Sequence, residues 1–381
     1  MDFIKKHLNN LQENAQFRKI YPSFLKENNY AIKNGQKLLN LSSNDYLGWA
    51  YDENLRREFL EEIDIASFDF SSASSRLLTG NHKVFEELEE YLAKRFNKEQ
   101  CLLFNNGYQA NVGLISALNK KGCAVFSDKL NHASTIDGMK LSQGDFYRYN
   151  HLDYTHLERL LDKYSSKYEQ IFIATESVFS MDGDIADFDE LVALKAKYNA
   201  ILIVDEAHSF GVFGEDAFGL TKNKEIDIIM GTFGKALASY GAFVVASQQT
   251  IEYLVNMARP FIFSTMIAPA QARWTLWLLQ KKLPKTLKNR QNLLKNASFL
   301  RENINKFGLE TRGASQIVPI IIGDNNKTIS IAKELENKGF LVLPIRPPTV
   351  KIGESRLRVS LHSRLLQEDV EAFIEALGGI L

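Results

Sequence analysis

ILIVDEAHSFG (201–211) and IDIIMGTFGKALASYGA (226–242) decide the fold. Each opens on an apolar run of strand length and then turns polar at once. The first runs into Asp205 and His208, the second into Thr232, Gly234 and Lys235. A strand that is apolar along its whole length is buried on both faces, as in a parallel sheet covered by helices. The same punctuation recurs outward along the chain, at CLLF (101–104), AVFSD (124–128), IFIATES (171–177) and AFVVAS (242–247). Between these runs lie HKVFEELEEYLAKRF (82–96), DYTHLERLLDKY (153–164) and DFDELVALKAKY (187–198), whose apolar residues recur at helical spacing. Strands alternating with helices predict an α/β fold with a mostly parallel sheet. Ligands of such sheets bind beyond the C-terminal ends of the strands, so the residues after each apolar run carry the chemistry.

Past about residue 250 the pattern changes. A long helical stretch over 267–306, interrupted only at Pro269 and Pro284, precedes strand-like IVPIIIG (317–323), FLVLPI (340–345) and RLRVSL (356–361). This predicts a smaller C-terminal α+β domain. Residues 1–40 read as a polar, partly helical arm leading into the turn chemistry of LSSNDYLG (41–48). The expected boundaries are 1–45 for the arm, 46–285 for the large domain and 286–381 for the small one. A chain of 381 residues suits two packed domains.

Composition excludes several classes. Lys plus Arg and Asp plus Glu both number 46, so the basic excess of a nucleic-acid binder is absent. No stretch approaches the ~20 apolar residues of a membrane span, and MDFIKKHLNNLQENAQFRK lacks a secretion signal's apolar run. The chain reads as cytoplasmic, with neither membrane nor nucleic acid as partner. Cys101 and Cys123 read as a buried pair of structural thiols, and no metal site is expected.

Asp205 at a strand end can hold a protonated ring nitrogen, and His208 can reach a neighbouring ring oxygen. Lys235, in a turn of small residues, has room to be desolvated, which makes an amine a nucleophile or base near neutral pH. Thr232 offers a hydroxyl to a phosphate. LLFNNGYQANVG (102–113) fits a strand, a glycine turn and a helix start, where backbone amides favour a phosphate. Gly107 allows close approach there and Tyr108 adds a hydroxyl. In DKLNHASTIDG (128–138), His132 can stack on a flat ring. Each segment alone also has a plain structural reading, as a capping Asp, a solvated His or a surface Lys. Together, at successive strand ends, they are the inventory that pyridoxal 5'-phosphate requires.

These segments resemble the α-oxoamine synthases, a pyridoxal-phosphate family of fold type I. The resemblance runs end to end through SNDYLG (43–48), SRLLTGNH (75–82), NHAS (131–134), TESVFSMDGD (175–184), VDEAH (204–208), TFGKA (232–236) and FSTMIAPA (263–270). It implies Lys235 as the Schiff-base lysine, Asp205 on the pyridinium nitrogen, His208 on the phenolic oxygen and His132 over the ring. It implies that Gly107, Tyr108, Ser180 and Thr232 hold the cofactor around its phosphate. Arg358, with Asn44 nearby, matches the amino-acid carboxylate site, and Arg18 and Thr349 match substrate positions; Arg346 is a further candidate. Ser264 and Thr265 match a stretch that reaches the neighbouring subunit's phosphate, which implies a homodimer. IRPPTV (345–350) with SRLRVSL (355–361) narrows the resemblance to members that condense L-alanine with a pimeloyl thioester, on coenzyme A or acyl carrier protein, in biotin synthesis.

Three other readings compete. Members of the same family that use glycine and acetyl-CoA share nearly all these residues. VDEAH also resembles the helicase DEAH box, but the phosphate loop that reading requires is missing, since GTFGK is shorter and lacks the following hydroxyl. A non-catalytic binding module would be expected to have lost Lys235 or Asp205. One departure from the family stands out: FSSASSRLL (70–78) occupies a place where many relatives are glycine-rich, and serine restricts the backbone more. This bears on how a thioester would be placed.

Overall fold

A computed structural model describes residues 1–18, 20, 24–26, 30–65 and 68–381. Two compact units emerge, one of Met1–Glu53, Ser180–Asp184 and Lys288–Leu381, the other of Asn54–Phe179 and Ile185–Leu287. They are called unit one and unit two below.

Unit two is built on a seven-stranded sheet in the order Gln100–Phe104, Ala242–Ala246, Ile228–Thr232, Ile201–Asp205, Gln170–Glu176, Cys123–Asp128, Asp145–Tyr149. Every apolar run singled out in this region is a strand of it. Neighbouring strands from Ile228–Thr232 to Asp145–Tyr149 pair in parallel, so the α/β expectation holds. Ala242–Ala246 runs antiparallel to both its neighbours, which its apolar composition alone did not reveal. Asp145–Tyr149 was not foreseen at all. Its sequence DFYRY is mostly exposed, as an edge strand allows, so it lacks the apolar run that marks the others.

The helices start and stop where local chemistry dictates. Asp153, Asp187 and Ser247 each accept a first-turn amide of the helix they precede. Asn97 and Asn199 close theirs in the left-handed conformation that asparagine tolerates. Leu114, Ile115, Met139, Phe172, Ile203, Met230, Val244 and Leu254 belong to one buried cluster between sheet and helices. Cys101 is buried on its strand, while Cys123 packs against that cluster only half-buried, so the two thiols are not the buried pair expected.

The serine-rich segment also lies in unit two. Ser72 is buried and its hydroxyl donates to the Met266 carbonyl at 2.8 Å, while Met266 N–H donates to the Ser74 carbonyl at 3.2 Å. Ala73 takes φ +53°, the left-handed region that glycine adopts more readily. Serine hydroxyls thus tie down a loop that keeps one glycine-like residue.

Unit one carries two small sheets. Phe24–Lys26, Tyr30–Lys33 and Gln36–Asn40 form an antiparallel run, extended in parallel by Phe340–Leu341. Residues expected to be only a polar arm therefore contribute strands, and Leu38 and Leu39 are buried. Ile317–Gly323, Ser355–Ser360 and Pro344–Ile345 form the second sheet. FLVLPI is split between the two sheets rather than forming one strand. The long helix expected over 267–306 is broken: Pro269–Trp277 passes through a π turn and a 3₁₀ turn at Leu283–Lys285 before Leu287–Lys306 begins. Pro284, which has no N–H to donate, sits in that 3₁₀ turn.

Gly231 pairs with Phe243 across the sheet, and a Cβ there would be driven into the Phe243 ring. That ring is held by Phe210 at 5.0 Å and Phe233 at 5.4 Å between centroids, so it has little room to retreat. Gly231→Ala should lower unfolding stability by about 1–3 kcal/mol. Gly379→Ala, whose added Cβ meets only ordinary contacts, should leave the denaturation midpoint nearly unchanged.

Candidate active site

In unit two the strand ends deliver their side chains as the topology requires. Asp205 ends its strand, 8% exposed, and its carboxylate accepts two hydrogen bonds. Ala207 N–H donates to Oδ1 and Asn111 Nδ2–H to Oδ2, both at 2.8 Å. Glu176 ends the adjacent strand and pairs with Asp205 in the ladder. Burial pushes the Glu176 carboxyl well up from its ordinary range and the charge of Asp205 adds to this, while Lys235 opposes it. Its Oε1 accepts the backbone N–H of His132 at 2.5 Å.

His132 precedes the helix Ala133–Leu141, and its Nδ1 lies 2.7 Å from Ser134 Oγ. The residue is exposed, yet the groups packed about its ring still push the imidazole pKa down. Desolvation is the main cause, Asp205 opposes it, and Lys235 reinforces it. Tyr108 stands edge-on to it, with ring centroids 6.4 Å apart, and donates its hydroxyl to Asp137.

Lys235 is half-buried, with Nζ 2.7 Å from Nε2 of the buried His208. Thr232 Oγ1 accepts Gly234 N–H at 3.2 Å and donates to the Gly241 carbonyl at 3.0 Å. Beside it begins the helix Gly107–Leu118, capped by Asn106, which accepts Gln109 N–H at 2.9 Å. A Cβ on Gly107 would meet Thr232 only at ordinary contact, 3.6 Å, so packing within the chain does not itself demand glycine there. Ser264 and Thr265 lie in a loop whose Thr265 carbonyl accepts Asn105 Nδ2–H at 2.8 Å.

Unit one gathers a different set. Arg358 is buried, and its Nε donates to the Ser180 carbonyl at 2.5 Å. One terminal nitrogen donates to Ser360 Oγ at 2.7 Å, and both reach Asn44 Oδ1 at 3.2 Å. None of these partners is charged. Two residues earlier on the same strand, Arg356 is neutralised by Asp182 at 2.6 Å and Glu354 at 3.0 Å. Arg18 donates to Thr349 Oγ1 at 3.0 Å, and with Arg346 these residues line one small cavity.

The residues singled out from sequence thus fall into two groups. Lys235, His208, Asp205, His132, Thr232, Gly107, Tyr108, Ser264 and Thr265 belong to unit two, and Asn44, Ser180, Arg358, Arg18 and Thr349 to unit one. Sequence reading missed Asn111, Ser134 and Glu176. The first sits in the quoted GYQAN, the second in NHAS and the third in TES. Their signal was position: one turn after Gly107, two residues after His132, and a strand end beside that of Asp205.

Family comparison bears on the whole arrangement. The model for aminotransferase class I and II matches residues 36–377. The chain belongs to this family. A Haemophilus influenzae protein named "Putative 8-amino-7-oxononanoate synthase" is 45% identical over 99% of this chain and all of its own. Among solved structures, a serine palmitoyltransferase variant of S. paucimobilis with a bound PLP–myriocin aldimine superposes with TM-score 0.89 at 26% identity, covering 100% of this chain and 96% of that one. The 8-amino-7-oxononanoate synthase of Francisella tularensis matches at 30% identity and TM-score 0.75, over 90% of this chain and 97% of its own.

The residues fit pyridoxal phosphate. A buried carboxylate stands ready for a ring nitrogen, an imidazole adjoins the lysine amine, and helix-start amides lie beside a threonine hydroxyl for the phosphate. Glu206 of VDEAH does something else. Its carboxylate is buried, accepts Thr221 N–H at 2.6 Å, and is pushed up to about 7 by burial. This is a structural bond, which leaves the helicase reading without its acid.

A raised carboxyl pKa stabilises the fold fully below the ordinary value of 4.5, and that contribution is lost as pH rises through about 7. Thermal stability should therefore fall between about pH 4.5 and pH 7, by about 3 kcal/mol from this group. Glu206→Gln should flatten that fall. Identical pH profiles for variant and parent would refute the assignment.

Proposed function

We propose that this chain condenses L-alanine with a pimeloyl thioester, with loss of carbon dioxide, to give 8-amino-7-oxononanoate, a step of biotin synthesis. It is a pyridoxal-phosphate-dependent, acyl-transferring enzyme. The observation that carries the chemistry is the Lys235 amine, 2.7 Å from His208 beside a strand that ends in Asp205. The choice of substrates is supported by the names of the full-length relatives.

Bound pyridoxal phosphate supplies a sink for the electron pair left when a bond to the amino acid's Cα breaks. The chain's own groups do the rest. Lys235 provides the nucleophilic amine, and its Nζ, once free, takes the Cα proton. Arg358, whose charge no carboxylate among the described residues answers, offers two terminal nitrogens to the alanine carboxylate. A bond forms between alanine Cα and the thioester carbonyl carbon, and the C–S bond breaks to release the thiol. The bond from Cα to the carboxyl group then breaks, carbon dioxide leaves, and a proton takes its place. The distal carboxylate of the pimeloyl chain finds its partners in Arg18 and Thr349, with Arg346 beside them in the same cavity.

A homodimer is part of this proposal. Exposed Phe263, Met257 and Tyr108 surround Ser264 on unit two, and an apolar patch of that kind favours a protein partner. Sedimentation of the holoenzyme as a monomer at micromolar concentration would remove it.

Mass spectrometry of products, with alanine or glycine crossed against pimeloyl- or acetyl-CoA, tests the substrates directly. Product from glycine and acetyl-CoA alone would make the chain a glycine C-acetyltransferase. Lys235→Ala should lose turnover by several orders of magnitude, because nucleophile and base vanish together. Borohydride should fix the cofactor's mass to Lys235 in the parent. Arg18→Ala should weaken use of the pimeloyl thioester by about 10- to 150-fold, the loss typical of a charge-assisted hydrogen bond. Alanine binding should be spared. An equal loss on acetyl-CoA would assign Arg18 to the carrier or to the fold.

A further inference from the structure

Asn111, Ser134 and His132 form a chain of contacts anchored on Asp205. Asn111 Nδ2 lies 2.8 Å from Asp205 Oδ2 and 3.0 Å from Ser134 Oγ. Ser134 Oγ lies 2.7 Å from His132 Nδ1, and the Ser134 backbone N–H donates to the same Nδ1 at 3.2 Å. Asn111 is 4% exposed and Ser134 fully buried, so water has little access to these bonds.

The positions of the protons follow by elimination. A carboxylate can only accept, so the end of the Asn111 amide facing Asp205 is its NH₂ group, and the orientation of that amide is settled. The NH₂ group gives its second proton to Ser134 Oγ. The Ser134 backbone N–H can only donate, and it points to His132 Nδ1, so that nitrogen presents its lone pair. The Ser134 hydroxyl, 2.7 Å from the same nitrogen, is then the donor of that contact, while its oxygen accepts from Asn111. Two donors converge on this nitrogen, which leaves no room for a proton of its own.

We infer that Asn111, acting through Ser134, locks His132 as the neutral tautomer with its proton on Nε2. Asn111 is a positioning residue: it touches Asp205 directly and His132 only by way of the serine. One amide thereby ties the carboxylate assigned to the ring nitrogen to the imidazole assigned to the ring face. In catalysis His132 is a hydrogen-bond donor through Nε2, suited to polarising a carbonyl oxygen, and the work of the base stays with Lys235. Only that last step rests on the proposed function; the tautomer does not.

The test is a long-range ¹H–¹⁵N spectrum of the holoenzyme carrying ¹⁵N-labelled histidine, with the His132 signals identified by their loss in His132→Asn. The expected result is an unprotonated Nδ1 and a protonated Nε2 at neutral pH. Ser134→Ala should shift the Nδ1 resonance. Asn111→Leu should also shift it, although Asn111 does not touch the ring. The double variant should add nothing beyond Ser134→Ala, because the effect of Asn111 passes through the serine. A protonated Nδ1 in the parent overturns the inference, as does an Asn111→Leu protein that folds and keeps the parent resonance. Should Asn111→Leu fail to fold, the parent tautomer and the Ser134→Ala shift decide alone. Product analysis is separate: an unexpected product sinks the proposed substrates and leaves the tautomer standing, and the reverse holds equally.

Discussion

A carboxylate at the end of an apolar strand is costly to bury unless donors meet it, and Asp205 sets that constraint for all of unit two. Its two donors come from different places. Ala207 lies in the turn that follows the strand, and Asn111 in a helix that begins near Thr232. Satisfying Asp205 therefore fixes the helix whose first amides suit a phosphate. The same amide, through Ser134, fixes His132. Glu176, at the neighbouring strand end, is buried beside Asp205, and burial first, then the Asp205 charge, raises its carboxyl pKa.

Strand direction explains why these groups gather. In a parallel ladder the C-terminal ends lie along one edge, so Asp205, Glu176 and Thr232 line up by topology, with no need for long loops. Lys235 needs a further device. It lies in the connection between Ile228–Thr232 and the antiparallel strand Ala242–Ala246. Phe233 N–H donates to the Gly241 carbonyl, Ser239 N–H to Phe233 and Ala238 N–H to Lys235, each at 3.0 Å. Reversing one strand closes this loop on itself at its base. The amine is thus held by a tight hairpin-like connection, where a crossover helix would have carried the chain away from the edge.

How far sequence reached follows from the same physics. Buried parallel strands advertise themselves by unbroken apolar runs, and the polar residue after each run is the group at the sheet edge. Lys235, Asp205, His208, Thr232 and His132 were legible for that reason. Strand direction was not, because AFVVA packs as an apolar run whichever way it points. The edge strand DFYRY and the arm strand Gln36–Asn40 were missed because exposed polar residues shorten the apolar run. Asn111, Ser134 and Glu176 were missed for another reason: a supporting residue declares itself only by what it touches, and that is a fact of three dimensions. FSSASS was read as a restriction, and it proved to be a loop tied down by the Ser72 hydroxyl with Ala73 in the glycine-like conformation.

Arg356 and Arg358 show why a residue's type is not its role. They lie two apart on one strand and so share a face. Both are buried, and burial of a guanidinium demands compensation. For Arg356 it comes from Asp182 and Glu354, which cancel the charge and leave a structural pair. For Arg358 it comes from a carbonyl, a hydroxyl and an amide oxygen, which satisfy its N–H groups without cancelling its charge. Among the described residues no carboxylate lies within ion-pair distance of Arg358. A buried cation held by neutral dipoles is oriented yet still attracts an anion, and that property is what supports the carboxylate role proposed for Arg358. Nothing in the composition of SRLRVSL distinguishes this arginine from the ion-paired Arg356.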